Sequence, residues 1–290
     1  VHEDTKARIL KAAKELDYYP NANARNLKTK KTGNVGVFIY GFGGPIFSDV
    51  LEGIRHELQK QAYNIIVTSG KASNVLLKER QVDAAIVFDS KLDDDILVQY
   101  AKIAPLIVLD RTLIAENIYH SMINNEDLVG LFIKKMIEKG YKKFSYLSGP
   151  SDAYNNQERL IGFNKALKKH DLEMNRLFEA DFTIAGGHKI ATSMTVENEQ
   201  EFIFCANDES AIGLIQGLNE RNIKVPDQIA VSGFDGIYLG QFIKPKLSTI
   251  SIDHYGWGKE IAKFVVAKLK NQPQEPLESP KATMILRESC

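Results

Sequence analysis

The stretch FIFCANDESAIGLIQGLNERNIKVPDQIAVSGFDG, residues 202–236, contains two apolar runs on either side of a helical segment. The first run, 202–205, predicts a buried strand, and residues 208–221 predict a helix whose first two residues are acidic and complement its N-terminal dipole. The second run, 229–232, predicts the next strand. Strand, helix and strand in this order indicate two parallel strands joined by a crossover helix.

The same alternation extends through most of the chain, in two successive series. The strands of the first series are predicted at residues 35–40, 64–68, 84–88 and 106–109. Those of the second are predicted at residues 144–147, 178–182, 202–205, 229–232, 248–252 and 283–287. Helical segments separate them, among them residues 46–61, 126–139, 156–169 and 255–270. The sequence therefore predicts an α/β protein with two parallel sheets, and two series of similar length suggest two lobes with a cleft between them.

The composition is that of a soluble globular protein: 44% of the 290 residues are hydrophobic and 26% are charged. No apolar run approaches the roughly 18 residues that a membrane span needs. The first residues do not resemble a signal peptide, so we expect a cytoplasmic protein with no membrane partner. Cys205 and Cys290 lie far apart and the six histidines are not paired at ligand spacing, so neither a disulfide nor a metal site is expected.

Charge is distributed unevenly although the chain is neutral overall. Residues 1–34 contain eight Lys or Arg and four Asp or Glu, a net charge of +4, so the remaining residues carry −4. A basic arm on a mildly acidic body suggests a polyanionic partner. A solvated helix face would give the same charge pattern, and charge alone does not separate the two.

Motifs for catalysis are weak or missing. The run Gly41-Phe-Gly-Gly44 follows a strand, but the third glycine of a dinucleotide fingerprint is missing and the second strand ends without an acidic residue. The segment around Ser232 lacks the first glycine of a nucleophile elbow, and there is no phosphate-binding loop of the Walker type. We expect no catalytic residues, no cofactor and no enzymatic activity.

Polar side chains follow several of the predicted strands: Asp110, Asn207, Asp208 and Asp235. Arg159 opens a helix, and two aromatic residues, Phe47 and Phe182, also follow strand ends. Carboxylates, amides and a guanidinium can hydrogen-bond the hydroxyl groups of a sugar, and an aromatic face can pack against its ring. Each residue also has a local alternative, as a helix cap, a turn former or a surface charge. Their common position at strand ends favours a binding cleft.

Five segments resemble, in chain order, the LacI/GalR family of bacterial transcription regulators. Residues 10–29, LKAAKELDYYPNANARNLKT, resemble the last helix of the headpiece and the hinge helix. Residues 205–213, CANDESAIG, resemble the family's Ala-Asn-Asp-x-x-Ala-x-Gly motif. Residues 225–235, VPDQIAVSGFD, resemble the Val-Pro-x-Asp…Gly-Phe-Asp motif that follows it. Residues 246–250, KLSTI, and 286–289, LRES, continue the match to the end of the chain.

The resemblance implies a two-lobed, periplasmic-binding-protein-like core whose lobes are joined by three crossovers, preceded by a remnant of an α-helical DNA-binding headpiece. It divides the chain into residues 1–33 for the headpiece remnant and hinge helix, 34–139 plus 255–271 for the N-terminal lobe, and 140–254 plus 281–290 for the C-terminal lobe. The first two headpiece helices have no counterpart in this sequence, so the chain as given should bind operator DNA poorly.

The resemblance further implies a homodimeric, sugar-responsive repressor whose effector is a sugar or a sugar phosphate. The effector positions fall on Phe47, Asp110, Asn155, Arg159, Phe182, Asn207 and Asp235. The DNA-binding positions fall on Asn23, Arg25, Leu27 and Lys28, with Leu27 as the wedge that enters the minor groove. Two alternatives remain: an extracytoplasmic sugar-binding protein of a transport system, and a nucleotide-dependent enzyme.

Overall fold

The structure is a computed structural model that describes residues 2–18, 26 and 28–290. Two separate β-sheets dominate it, one built from the first part of the chain and one from the second. The first sheet has five strands in the order β2-β1-β3-β4-β5, and the second has six in the order β11-β10-β9-β8-β6-β7. The prediction of an α/β protein with two mainly parallel sheets is confirmed.

The first sheet is parallel throughout. Its strands are β1 (Asn34–Ile39), β2 (Asn64–Thr68), β3 (Ala84–Phe88), β4 (Leu106–Val108) and β5 (Ile118–His120). The intervening helices are Pro45–Lys60, Lys71–Lys78 and Asp94–Ala101. Strands β1, β3 and β4 are buried along almost their whole length, because helices cover both faces of the sheet.

The second sheet contains one antiparallel pair, β10 with β11, at its edge. Its strands are β6 (Phe144–Ser148), β7 (Met174–Glu179), β8 (Glu201–Cys205), β9 (Ile229–Asp235), β10 (Ser248–Ile252) and β11 (Ala282–Ile285). Its helices are Tyr154–Lys169, Ile184–Ser193, Asp208–Glu220 and a short 3-10 turn, Tyr238–Gln241. Every residue of β8 and β9 is buried, as the apolar runs in the sequence require.

Two strand predictions differ from the structure. The strand expected at residues 178–182 lies earlier, at Met174–Glu179. This segment pairs with β6 as an edge strand whose side chains alternate between partly buried and exposed, and Phe182 belongs to the loop that follows. The three-residue strand β5 was not predicted, since so short a run carries no periodicity.

Each of two long helices follows one sheet in sequence but packs against a helix of the other sheet. The helix His254–Leu269 follows the second sheet in sequence but packs against Pro45–Lys60 of the first, at a contact where a Cβ on Gly53 would lie 2.2 Å from the backbone oxygen of Tyr255. The helix Asn125–Glu138 packs instead against Tyr154–Lys169. This packing favours a lobe boundary before residue 125 rather than at residue 139, and the division of the chain into lobes remains a prediction.

The N-terminal arm is anchored to the first sheet just before β1. Asp83 accepts hydrogen bonds from the Thr32 backbone N–H at 2.7 Å, the Thr32 hydroxyl at 2.9 Å and the Gly33 N–H at 2.9 Å. Further upstream, residues Glu3–Glu15 form a helix, and Ile9 on this helix and Leu16 directly after it are exposed. Among the helices of the described residues, none is both long and apolar enough to cross a bilayer.

Candidate functional site

A cleft of about 330 Å³ lies between the carboxyl ends of the two sheets. Open α/β sheets place their ligands at this edge, because loops after the strands converge there. The first lobe supplies the cleft residues Tyr40, Gly43, Gly44, Ile46, Phe47, Phe88, Ser90, Lys91 and Asp110. The second supplies Pro150, Asp152, Ala153, Tyr154, Asn155, Arg159, Asp181, Phe182, Asn207, Glu209 and Asp235.

The cleft brings together all seven residues that the sequence predicted as effector contacts: Phe47, Asp110, Asn155, Arg159, Phe182, Asn207 and Asp235. They come from six different segments, since Asn155 and Arg159 share the helix Tyr154–Lys169, and the convergence of the strands makes these segments neighbours. Of the four predicted DNA contacts, Asn23, Arg25 and Leu27 lie outside the described residues, and Lys28 is exposed.

Arg159 is the centre of the second-lobe wall, and it is 3% exposed. Its Nε donates to Asn125 Oδ1 at 2.8 Å, Nη1 to the Ala206 backbone oxygen at 2.5 Å, and Nη2 to Asp235 Oδ1 at 3.4 Å. The guanidinium carbon also lies 3.7 Å from the centre of the Phe234 ring, a cation–π contact. The guanidinium is therefore fixed in the wall by four groups before any ligand arrives.

Asp235 ends β9 in the left-handed region of backbone space, with φ +108°. Burial raises the pKa of this carboxyl to about 6, and the nearby Glu209 adds to the shift, while Arg159 opposes it. Asn125, which holds the other side of Arg159, donates from Nδ2 to Asn155 Oδ1 at 3.1 Å. Two of the predicted contacts, Arg159 and Asn155, are thus tied to one another through a residue that the sequence analysis did not single out.

Asn207 has a structural task at each end of its side chain. Its Oδ1 accepts from the Ser210 N–H at 3.0 Å, which caps the helix Asp208–Glu220, and its Nδ2 donates to the Phe182 backbone oxygen at 2.8 Å. Phe182 itself has φ +66°, and its ring lies against Gly149, where a Cβ would approach the ring to 2.2 Å. The Asn207 bond therefore helps to hold a strained loop whose aromatic ring lines the cleft.

Asp208 was grouped with the cleft carboxylates in the sequence, but it lies behind the wall and is fully buried. It accepts from the Thr249 hydroxyl at 2.6 Å and from the Ile237 N–H at 2.8 Å. Burial, followed by the charge of Asp235, raises the pKa of its carboxyl well above the usual value. Asp208 joins β10 to the loop after β9 and does not contact the cleft.

Asp110 differs from these carboxylates, because it is 6% exposed and neither of its oxygens accepts a hydrogen bond from another described residue. Arg111 Nη1 lies 3.5 Å from Asp110 Oδ2. That guanidinium is held elsewhere, by Asp94 Oδ1 at 2.9 Å and by two backbone oxygens. Burial raises the pKa of Asp110 to about 6, against the opposing charge of Arg111.

Aromatic rings form the floor of the first-lobe wall. The ring of Phe47 meets Tyr40 and Phe88 edge to face, with centroids 5.1 and 5.2 Å apart, and Phe88 continues to Trp257 at 6.1 Å. Burial, then the charges of Asp235 and Glu209, raises the pKa of Tyr40. The two walls approach each other closely here, because Glu209 Oε2 of the second lobe lies 3.6 Å from the Cβ position of Gly44 in the first.

Tyr40 and Glu209 were not predicted as cleft residues, although each carries the signal that found the others. Tyr40 directly follows β1, and Glu209 is the second residue of a helix that follows a strand. Within the described part of the chain, no group of three or more His, Cys, Asp or Glu side chains is placed to hold a metal ion.

The fold and the cleft define a two-lobed binding protein of the periplasmic type, and a family model described as periplasmic binding protein-like domain matches residues 133–290. The HTH-type transcriptional repressor PurR of Vibrio parahaemolyticus is 30% identical over 288 residues, which are 95% of this chain and 86% of that protein. The ribose operon repressor of Haemophilus influenzae is 29% identical over 303 residues, which are 100% of this chain and 89% of that protein.

Among solved structures, a sugar-binding transcriptional regulator of the LacI family from Enterococcus faecalis superposes with a TM-score of 0.80 at 30% identity, over 89% of this chain and 98% of that one. The chain belongs to the LacI family of transcriptional regulators. This confirms the resemblance in the sequence and favours a regulator over a transport receptor.

Proposed function

We propose that the chain is the regulatory core of a repressor of sugar-metabolism genes, and that a sugar or sugar phosphate bound in the cleft controls its affinity for operator DNA. The cleft carries this proposal, because it is concave, partly aromatic and lined from both lobes by convergent polar groups. A ligand that touches both lobes stabilises one arrangement of the lobes over another, which is the condition for allosteric control.

The seven predicted residues have distinct roles in this proposal. Phe47 and Phe182 pack against the faces of the ligand, and Asp110 accepts from its hydroxyl groups. Arg159 and Asp235 present the polar edge of the second lobe, and Asn155 and Asn207 position the loops beside them. No step of this function is a chemical reaction, so we assign no enzymatic activity.

The signal passes to the DNA along β1. Tyr40 at the carboxyl end of this strand lines the cleft, and Thr32 before its amino end is clamped to Asp83. The six residues of β1 span about 20 Å at the rise of a strand. A rotation of the first lobe therefore displaces the arm that begins at the clamp.

The arm places Asn23, Arg25, Leu27 and Lys28 on the operator of a homodimeric, cytoplasmic repressor. Leu27 enters the minor groove as a wedge, and the basic residues contact groove and phosphate. A dimer doubles the contacts with a two-fold symmetric operator, so a change in the spacing of the two arms weakens both at once.

The test begins with a thermal-shift screen of free and phosphorylated sugars on this chain, since a ligand that binds only the folded state raises its melting temperature. The complete gene product is then used to select its operator from a random duplex pool. The dissociation constant of that operator is measured by fluorescence anisotropy with and without the stabilising sugar. We expect the sugar to change it about 5- to 150-fold, the range of a coupling of about 1–3 kcal/mol.

Size-exclusion chromatography with light scattering completes the test. A dimer with ligand-dependent operator affinity supports the proposal. A monomer that binds sugar but selects no DNA sequence contradicts it and favours the sugar-binding protein of a transport system. If a nucleotide stabilises the chain and no sugar does, the proposal is contradicted and a nucleotide-dependent enzyme is favoured.

A further inference from the structure

The charges that face the cleft are mainly negative. Among the described residues, five carboxylates line it and two cations do. The carboxylates are Asp110, Asp152, Asp181, Glu209 and Asp235, and the cations are Lys91 and Arg159. A ligand in the cleft therefore meets a net charge of about −3 when all these groups are ionised.

The two cations do little to offset this charge for an anionic ligand. Arg159 is already engaged by Asp235, by Asn125 and by the Ala206 carbonyl, and its flat face is covered by Phe234. Lys91 has an exposed side chain, so solvent and salt screen its charge. A phosphate would thus have one screened lysine for its counter-ion.

Helix N-termini also reach the cleft, and they bear on the same question. The helices Pro45–Lys60 and Tyr154–Lys169 begin there without a side-chain cap. Each offers free N–H groups and a partial charge of roughly +0.5, which is too small to reverse five carboxylates. The partial positive charge of the helix Pro45–Lys60 is further opposed by Glu209, whose Oε2 lies 3.6 Å from the Cβ position of Gly44 at the start of that helix. These N–H groups suit an uncharged ligand oxygen.

The carboxylate of Asp110 indicates which chemical groups a ligand must bring to the cleft. It is 6% exposed, it lines the cleft, and its two oxygens accept nothing from another described residue. A buried carboxylate without donors is unstable relative to one that accepts hydrogen bonds, so a ligand that brings hydroxyl donors relieves it. A phosphate or carboxylate group brings no donor when ionised and adds repulsion.

We propose that the cleft binds an uncharged, polyhydroxylated ligand that donates a hydroxyl hydrogen bond to Asp110, and that it excludes the phosphorylated form of the same ligand. This inference rests on the proposed function and narrows it from sugars and sugar phosphates to free sugars. The aromatic pair Phe47 and Phe182 supplies apolar contact for the C–H faces of such a ring.

The experiment compares matched pairs by thermal shift and titration calorimetry at pH 7.5: ribose with ribose 5-phosphate, glucose with glucose 6-phosphate, and fructose with fructose 6-phosphate. We expect at least one free sugar to bind and its phosphate ester to bind at least about 100-fold more weakly. Equal or tighter binding of the phosphate ester overturns the inference but leaves the proposed function in place. Binding of neither member of any pair counts against the proposed sugar response itself.

The variant Asp110→Asn tests the carboxylate directly. The amide keeps the shape but lacks the charge, so the affinity for the free sugar should fall about 10-fold or more, the range for a hydrogen bond to a charged group. The matched control is Asp227→Asn, an exposed carboxylate that does not line the cleft, which should bind as the wild type does. Unchanged affinity in Asp110→Asn overturns the role of this residue.

Discussion

The two walls of the cleft are built differently. On the second lobe, Arg159, Asp235 and Asn207 bond to neighbouring residues and to backbone oxygens of their own lobe. On the first lobe, Asp110 is similarly buried, but no other described residue donates a hydrogen bond to its carboxylate. The comparison suggests that the polar groups of the second-lobe wall stabilise the folded protein, while Asp110 on the first-lobe wall is available to a ligand. Substitutions on the two walls should therefore have opposite effects on stability.

The largest effect is expected from Asp235→Ala. The change leaves the Arg159 guanidinium buried without its carboxylate, and breaking a buried pair in this way costs about 3–5 kcal/mol. We expect the free energy of unfolding in urea to fall by that amount at pH 7. The ligand-induced rise in melting temperature should also disappear.

The control for this prediction is the double variant Arg159→Met with Asp235→Leu, which removes both charges. It should lose clearly less stability than Asp235→Ala alone, because no unpaired charge is left behind. If the single variant is as stable as the wild type, the second-lobe wall is not held together as described.

A smaller effect, of opposite sign, is expected from Asp110→Asn. Burial raises the pKa of Asp110 to about 6 in the folded state, whereas the pKa in the unfolded state is near 3.8. The folded state therefore keeps its full stability below pH 3.8, where this carboxyl is protonated, and loses stability as the pH rises through 6 and the buried carboxyl ionises. The loss amounts to about 3 kcal/mol at most, at 1.36 kcal/mol per pKa unit. We expect Asp110→Asn to be more stable than the wild type at pH 7 by up to this amount, and the difference to vanish near pH 4.

Urea unfolding at pH 4, 5, 6 and 7 measures this difference. His254 changes stability in the opposite direction over the same range, because burial lowers its pKa to about 4. It is present in both proteins and therefore cancels in the subtraction. Parallel pH profiles for the wild type and Asp110→Asn would show that the Asp110 carboxyl is not destabilised by burial.

The smallest effect is expected from Asn207→Ala, at about 1–2 kcal/mol, because the helix Asp208–Glu220 loses its cap and the Phe182 loop loses one bond. The matched control is Asp253→Ala, which removes the same kind of cap, in which Oδ1 accepts from the Gly256 N–H at 2.8 Å, from a residue that does not line the cleft. Both variants should lose similar stability, but only Asn207→Ala should weaken sugar binding. Equal sugar affinity in the two variants would assign Asn207 a purely structural role.

Much of this fold was accessible from the sequence, because its strands are apolar on both faces and its helices are long enough to show their period. The strands 64–68, 84–88 and 248–252 were placed without error, and most others within two residues. The strand predictions were wrong where the local sequence pattern is weak, because β5 has only three residues and β7 is an edge strand with alternating exposure. The helix Asn125–Glu138 packs against Tyr154–Lys169. The sequence does not select this side, because a helix with apolar residues on one face fits either lobe, and the division of the chain into lobes stays a prediction.

The sequence by itself determined that polar side chains follow the parallel strands, since strand ends are encoded locally by where each apolar run stops. It thereby predicted a cleft at these strand ends, with Phe47, Asp110 and Asp235 among its residues, whereas Asn155 came only from the resemblance to the LacI/GalR family. The effector-binding role of the seven candidate residues stays a prediction. Only the tertiary structure decided which of these side chains are already bonded. Asp208 and Asp235 both stand at strand ends, yet Asp208 faces Thr249, 41 residues away, and Asp235 faces Arg159, 76 residues away. Asp110 has no such donor within the described part of the chain. The partners come from distant parts of the chain, and only the packing of the lobes brings them within hydrogen-bond distance.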